Sequence, residues 1–151
     1  MQPDDTFWMR QAYDLALKAQ AEGEVPVGAV LVSQDNELLG QGWNKVIQTN
    51  DPTSHAEVIA IREASVHTHN YRLLNTTLYV TLEPCCMCAG ALIHSRIKRL
   101  VFAARDFKAG AAGSIYNLLQ GYPLNHQVQI DEGVLQQDCA VILTAFFNSQ
   151  R

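Results

Sequence analysis

The triplet His55-Ala56-Glu57 and the later run Pro84-Cys85-Cys86-Met87-Cys88 hold the side chains of this sequence best suited to chemistry. Together they offer an imidazole and a pair of thiolates as metal ligands, with one carboxylate left over. That is the inventory of a catalytic zinc site. A structural zinc closes its tetrahedron with four protein ligands, whereas a hydrolytic zinc keeps three and leaves the fourth position to water. Neutral His55 with the thiolates of Cys85 and Cys88 balances the charge of the ion. Zinc lowers the pKa of its water from about 15.7 to about 7, and a positioned acid or base contributes about 10²- to 10⁴-fold. In this reading the metal generates a nucleophile and Glu57 moves protons.

The spacing constrains the elements that carry these residues. Side chains two apart on a helix point about 200° apart, so His55 and Glu57 cannot face one target from mid-helix. From the first turn they can converge beyond the tip. Pro52 disfavours helix before it, and Thr53 or Ser54 can cap a helix over His55 to Ser65. Pro84 suits the first turn of a helix through Ser95, on which Cys85 and Cys88 share a face. Two helix N-termini would then aim at one ion, their positive ends favouring thiolates.

The rest of the chain reads as strands and helices in alternation. Thr6 to Ala21 has an apolar stripe of Trp8, Ala12, Leu15, Ala16 and Ala19, with Asp4, Asp5 or Thr6 as its cap. Val27 to Val32 and Leu38 to Trp43 form a hairpin around Gln34-Asp35-Asn36-Glu37, and Asn44 to Ser54 is a polar loop. Thr77 to Thr81, Leu100 to Ala104 and His126 to Ile130 complete five strands, with a short helix expected after Ser114. Leu135 to Phe147 closes the chain as a helix with Leu135, Cys139, Ile142, Leu143 and Phe146 inward. The pattern predicts an α/β domain around one mixed sheet.

With 151 residues and 48% hydrophobic composition, a single domain over 1–151 is expected. No apolar run is long enough for a membrane span and Met1 to Asp5 lacks the start of a signal peptide, so the expected location is the cytoplasm, without a membrane partner. Four cysteines, three within Cys85 to Cys88, make no disulfide framework. The net charge is −4, yet Pro84 to Lys108 carries Arg96, Lys98, Arg99, Arg105 and Lys108 against Asp106 alone. That segment is +4 on an acidic remainder, a patch able to bind phosphates or simply a solvated surface.

Other readings compete. A Cys-x-x-Cys pair alone serves redox chemistry, or half of a structural zinc site closed by Cys86, His94 or Cys139. His55 and Glu57 at a helix start argue against both. Cys86 and Cys139 are expected in the core, His67, His69 and His126 at exposed positions, and His94 in local packing.

The two motifs have the form H-x-E and P-C-x-x-C, and in this the chain resembles the zinc nucleobase deaminases. It is most similar to the tRNA adenosine deaminases of bacteria, through Glu24-Val25-Pro26-Val27-Gly28-Ala29-Val30, Gly42-Trp43-Asn44, Asp51-Pro52-Thr53, Asn70-Tyr71-Arg72-Leu73, Thr81-Leu82-Glu83-Pro84-Cys85, Met87-Cys88-Ala89-Gly90-Ala91 and Ala103-Ala104-Arg105-Asp106. These span most of Trp8 to Phe147. The resemblance implies a three-layer α/β/α cytidine-deaminase-like fold with a five-stranded mixed sheet, and a homodimer with one Zn²⁺ per subunit. It implies hydrolytic conversion of wobble adenosine to inosine in the anticodon arm of a tRNA. His55, Cys85 and Cys88 would hold the zinc. Glu57 would take a proton from water, deliver it to a ring nitrogen and later protonate the departing amine. Asn44 and the backbone at Ala56 would read the purine. Arg105 and Asp106 would contact substrate, Asp106 by accepting a ribose 2′-OH, the group that tells RNA from DNA. Relatives commonly carry a basic tail beyond the point where this sequence stops, and basic residues within the loop Val46 to Asn50, where this one has none. A deaminase of free guanine or cytosine, and a silent zinc-stabilised RNA-binding subunit, are the alternatives.

Overall fold

The computed structural model describes residues 2–120 and 126–150. Along them run α1 (Asp5–Ala21), β1 (Gly28–Val32), β2 (Leu38–Trp43), α2 (Val46–Thr49), α3 (Ala56–Thr68), β3 (Thr77–Leu82), α4 (Cys86–His94), β4 (Arg99–Ala104), β5 (Gln129–Glu132) and α5 (Gln136–Ser149). The strands form one sheet in the order β2-β1-β3-β4-β5. β1 is antiparallel to β2 and β3, while β3, β4 and β5 are parallel, so the sheet is mixed. A tight turn suffices for the β1–β2 hairpin, but the parallel β3–β4 pair needs the crossover that α4 supplies.

Alternation along the strands divides the interior into two layers. Ala29 and Leu31, Leu78 and Val80, Leu100 and Phe102 pack with Ala56, Ala60 and Ala64 of α3 and with Ala89 and Leu92 of α4. The intervening Val30, Val32, Tyr79, Val101 and Ala103 pack with Trp8, Met9, Ala12 and Leu15 of α1 and with Cys139 of α5. Helices therefore cover both faces, giving the α/β/α arrangement. The small residues on α3 let it lie close to the sheet. At Gly42 an added Cβ would stand 2.7 Å from the Ala56 carbonyl oxygen, so this glycine lets the tip of α3 settle beside the end of β2.

Local details bear out one expectation and change others. Asp4 caps α1, its side chain accepting the Phe7 N–H at 2.9 Å. Thr53 and Ser54 do not cap α3; their hydroxyls donate to Asp51 at 2.7 and 3.0 Å, and His55 itself is the N-cap. The stretch expected as a loop contains α2. No local side chain caps it, but the Glu24 carboxylate accepts the Ile47 and Gln48 N–H groups from across the fold. α3 continues past Ser65 to Thr68, and β5 lies at Gln129–Glu132, later than expected, because pairing with Arg99 to Phe102 selects those residues. In place of a helix after Ser114, the described residues turn back through a bridge between Ala112 and Asn117. Part of that region, 121–125, lies outside the described residues. Among the described residues no helix is long and apolar enough to cross a membrane.

Candidate active site

Two helix starts meet at the metal ligands. His55 is the N-cap of α3 and Cys85 the N-cap of α4, both in extended backbone, and neither side chain caps its own helix. The imidazole and thiol are thereby left to face each other. His55 Nδ1 lies 3.6 Å from Cys85 Sγ and 3.5 Å from Cys88 Sγ, and all three donor atoms fall within 4.8 Å of one another. A tetrahedral ion with Zn–S of about 2.3 Å and Zn–N of about 2.1 Å sets N and S about 3.6 Å apart. The three residues fit zinc. Cys86 has no part in this; it is exposed, contrary to the core position expected of it, while Cys139 is buried as expected.

The three ligand side chains share hydrogen bonds. The hydrogen bond from Cys88, against the opposing effect of burial and with help from His55, holds the Cys85 thiol down to about 3. The same bond and burial push Cys88 up, and the bond to Cys85 raises His55. A metal ion replaces protons shared in this way. Glu57, in the first turn of α3, is 4% exposed; burial, against the opposing effects of a backbone hydrogen bond, His55 and Cys88, pushes its carboxyl up to about 7.

These groups open into a pocket of about 380 Å³ lined by Glu24, Asn44, Ile47, His55, Glu57, Glu83, Cys85, Asp106 and Phe147, among others. That size suits a small ligand. Asn44 Oδ1 accepts the Ala56 N–H at 2.8 Å, and the Asn44 backbone N–H donates to Val27. Ala56 thus meets the site through Asn44. Asp106 lines the pocket with its Oδ1 accepting the Lys108 and Ala109 N–H groups at 3.0 and 3.1 Å.

The basic segment is less free than its composition suggested. Arg105 does not line this pocket; its guanidinium forks onto Glu132 at 2.7 and 2.8 Å. Arg99 is held by Asp5 and Asp131. Lys98 and Lys108 are exposed. Charge counting along the sequence could not see these partners. His94, His67 and His69 are exposed, and His126 is half-buried with Nε2 2.7 Å from the Ile97 carbonyl oxygen. Sequence reasoning assigned nothing to Glu24 and Glu83, two buried carboxylates in the pocket wall. Burial disfavours a charge on Glu83, but hydrogen bonds from the Ser114 hydroxyl and from the Asp106, Ser114 and Ala112 amides outweigh it and hold its carboxyl below the usual range. Their only sequence signal is a charged residue set next to an apolar stretch or a proline.

Residues 2–104 match the family model described as the cytidine and deoxycytidylate deaminase zinc-binding region, and the chain belongs to that zinc-dependent deaminase family. Within it, the chain is 54% identical over 147 residues to the tRNA-specific adenosine deaminase of Haemophilus influenzae, covering 97% of this chain and 85% of that one. It is 48% identical over 150 residues to the protein of the same name from Buchnera aphidicola, at 97% and 96% coverage. A solved structure from a study of A-to-I editing by tRNA:A34 deaminases at the wobble position superposes with a TM-score of 0.88 at 38% identity. It covers 91% of this chain and 99% of that one. The particular branch these relatives define is that of the tRNA-specific adenosine deaminases.

Proposed function

We propose that this protein is a zinc-dependent hydrolase that converts the wobble adenosine of a tRNA anticodon to inosine, working in the cytoplasm as a homodimer of single-domain chains. The observation that carries the reading is the convergence of His55, Cys85 and Cys88 at zinc-ligand separations beside the buried carboxyl of Glu57. The alternatives lose ground on the same grounds. A silent binding subunit has no use for Glu57, and the relatives of highest identity reported above carry the tRNA name rather than that of a free-base deaminase.

His55, Cys85 and Cys88 hold the zinc, which when bound supplies an acidified water as nucleophile at neutral pH. Glu57 does the proton work. Its burial raises its proton affinity above that of an ordinary carboxylate, in the direction a group that both takes and gives protons requires. It accepts a proton from the attacking water and passes it to the adjacent ring nitrogen as C6 is attacked, then takes the remaining proton of the new C6 hydroxyl and gives it to the amino group, which leaves as ammonia. Adenosine and water thereby become inosine and ammonia. Asn44, its oxygen committed to Ala56, turns its NH₂ group to a purine acceptor. Asp106, its Oδ1 committed to its own turn, offers Oδ2 to a ribose 2′-hydroxyl. The second subunit covers the outer side of α3 and α4, where Tyr71 is exposed in a groove lined by Val58, Ile61, Ala91 and His94 among others.

Incubation of the protein with an anticodon stem-loop carrying a wobble adenosine, beside free adenosine, cytidine and guanine, tests the function. Inosine in the stem-loop alone is expected. Turnover of a free base without the stem-loop, or binding without turnover, overturns it.

A further inference from the structure

Glu83 takes no part in the deamination chemistry, yet it is 2% exposed, lines the pocket and stands two residues from Cys85. A buried carboxylate must have its oxygens satisfied. The partners of Glu83 all come from the loop that follows β4. One oxygen, Oε1, accepts the Asp106 N–H at 3.1 Å and the Ser114 hydroxyl. The other, Oε2, accepts the N–H groups of Ala112 at 2.9 Å and Ser114 at 3.1 Å. The backbone adds ties on either side: Glu83 N–H donates to the Ala104 carbonyl and Ala111 N–H donates to the Pro84 carbonyl, each at 2.8 Å. Gly110 lies against the same carboxylate, where a Cβ would come within 2.4 Å of Glu83 Cδ.

The loop gathered in this way contributes Asp106 and Ala109 to the pocket wall. One chain turn thus ends in a metal ligand and, through a side chain two residues earlier, grips the loop that faces substrate. We infer that Glu83 is a positioning residue which sets the 106–114 loop relative to the metal ligands and so fixes where the substrate's sugar can sit. The inference deepens the function proposed above and rests on it. Because Glu83 touches the loop and not the reacting atoms, its loss falls on substrate binding and spares the chemical step.

Glu83→Gln tests this with little change of shape. An amide cannot accept with both ends, so whichever way it turns, an NH₂ group faces a loop N–H and leaves it unpaired. The expected result is zinc content and kcat close to those of the unaltered protein, with KM for the anticodon stem-loop raised about tenfold, the effect of leaving a buried donor unsatisfied. Faster amide hydrogen exchange at Asp106, Ala112 and Ser114 accompanies it. Unchanged KM, a loss confined to kcat, or activity falling in proportion to zinc overturns the inference. Should Glu83→Gln fail to fold, Gly110→Ala displaces the loop with the carboxylate intact, and an unchanged KM there overturns it equally. If the unaltered protein leaves the stem-loop unedited, the functional reading fails on that control alone. The comparison then uses KM for whichever free nucleoside is deaminated, or stem-loop Kd where none is, and equality between variant and parent overturns the role of Glu83.

Discussion

Asn44 Oδ1 accepts the N–H of Ala56 at 2.8 Å, tying the end of β2 to the first turn of α3 beside the metal ligands. Because the oxygen is used, the orientation of the amide is settled by its own hydrogen bond. The NH₂ group is what remains for the pocket. Asn44→Asp keeps an acceptor for Ala56 while replacing that donor with a second acceptor. Zinc content should be unchanged and kcat/KM on the stem-loop should fall about 10- to 100-fold, as one mispaired buried hydrogen bond requires. Metal analysis with steady-state kinetics checks this; activity within twofold of the parent removes Asn44 from substrate recognition.

Glu57→Gln separates proton movement from metal binding. The amide matches the carboxylate in shape and holds no transferable proton at neutral pH. Zinc should stay at one per chain while kcat drops about 10²- to 10⁴-fold, the usual contribution of a positioned acid or base. Single-turnover assays on the stem-loop measure it. A rate near that of the parent would assign the proton transfers elsewhere.

Cys88 is buried and Cys85 half-buried, and removal of either sulfur breaks the trio. Cys85→Ser and Cys88→Ser should each lose stoichiometric zinc, unfold at lower temperature than the parent, and lose deamination. Cys86→Ser should do none of these, since Cys86 is exposed and outside the ligand set. Elemental analysis of the three purified variants decides. Zinc loss in Cys86→Ser, or retention in Cys88→Ser, would redraw the ligand set.

The contrast among these cysteines shows what the sequence made legible. His55 and Glu57 together demanded a helix tip, and that holds; the three-residue gap from Cys85 to Cys88 demanded one helical face, and there Cys85 is instead the extended N-cap of α4, with Cys88 in its first turn. Cys86 was misread although the same helical geometry applies. It lies about 200° around the helix from Cys88, so a buried Cys88 turns it outward. What local pattern could not reach is pairing over distance. Arg99 with Asp5 and Asp131, Arg105 with Glu132, and Glu24 with the start of α2 join residues brought together only by the sheet. A composition count therefore overstated the free positive charge, and a stretch lacking its own cap was read as loop.

Asp5 gives a pH dependence of stability. Hydrogen bonds from Arg99 at 2.7 and 2.8 Å, with a further one from the Tyr79 hydroxyl at 2.8 Å, hold its carboxyl below the ordinary value despite some burial. A group whose folded pKa is depressed stabilises the fold above its unfolded pKa of about 3.9, and that stability is lost as pH falls through the folded value. Asp5→Asn should therefore cost about 1 kcal/mol near neutrality, discounted because Asp5 is more than a third exposed. The gap between variant and parent should close in acid. Urea unfolding at about pH 7 and about pH 3 measures it. A gap independent of pH would mean that packing, and not the ion pair, is what Asp5 supplies.

Tyr71 is 74% exposed and stands at the groove between α3 and α4, with His94 and Ala91 across from it. An aromatic ring of that exposure, with Leu74 and Met87 also uncovered, is what a second copy of the chain would bury. Tyr71→Glu removes that ring and places a carboxylate where a partner would bury it, so desolvation opposes association while the isolated chain, already solvated there, keeps its fold. Sedimentation should give twice the 16.8 kDa chain mass for the parent and the single mass for the variant, with zinc retained in both. A parent that sediments as one chain would overturn the dimer, and a variant that still pairs would place the contact on another face.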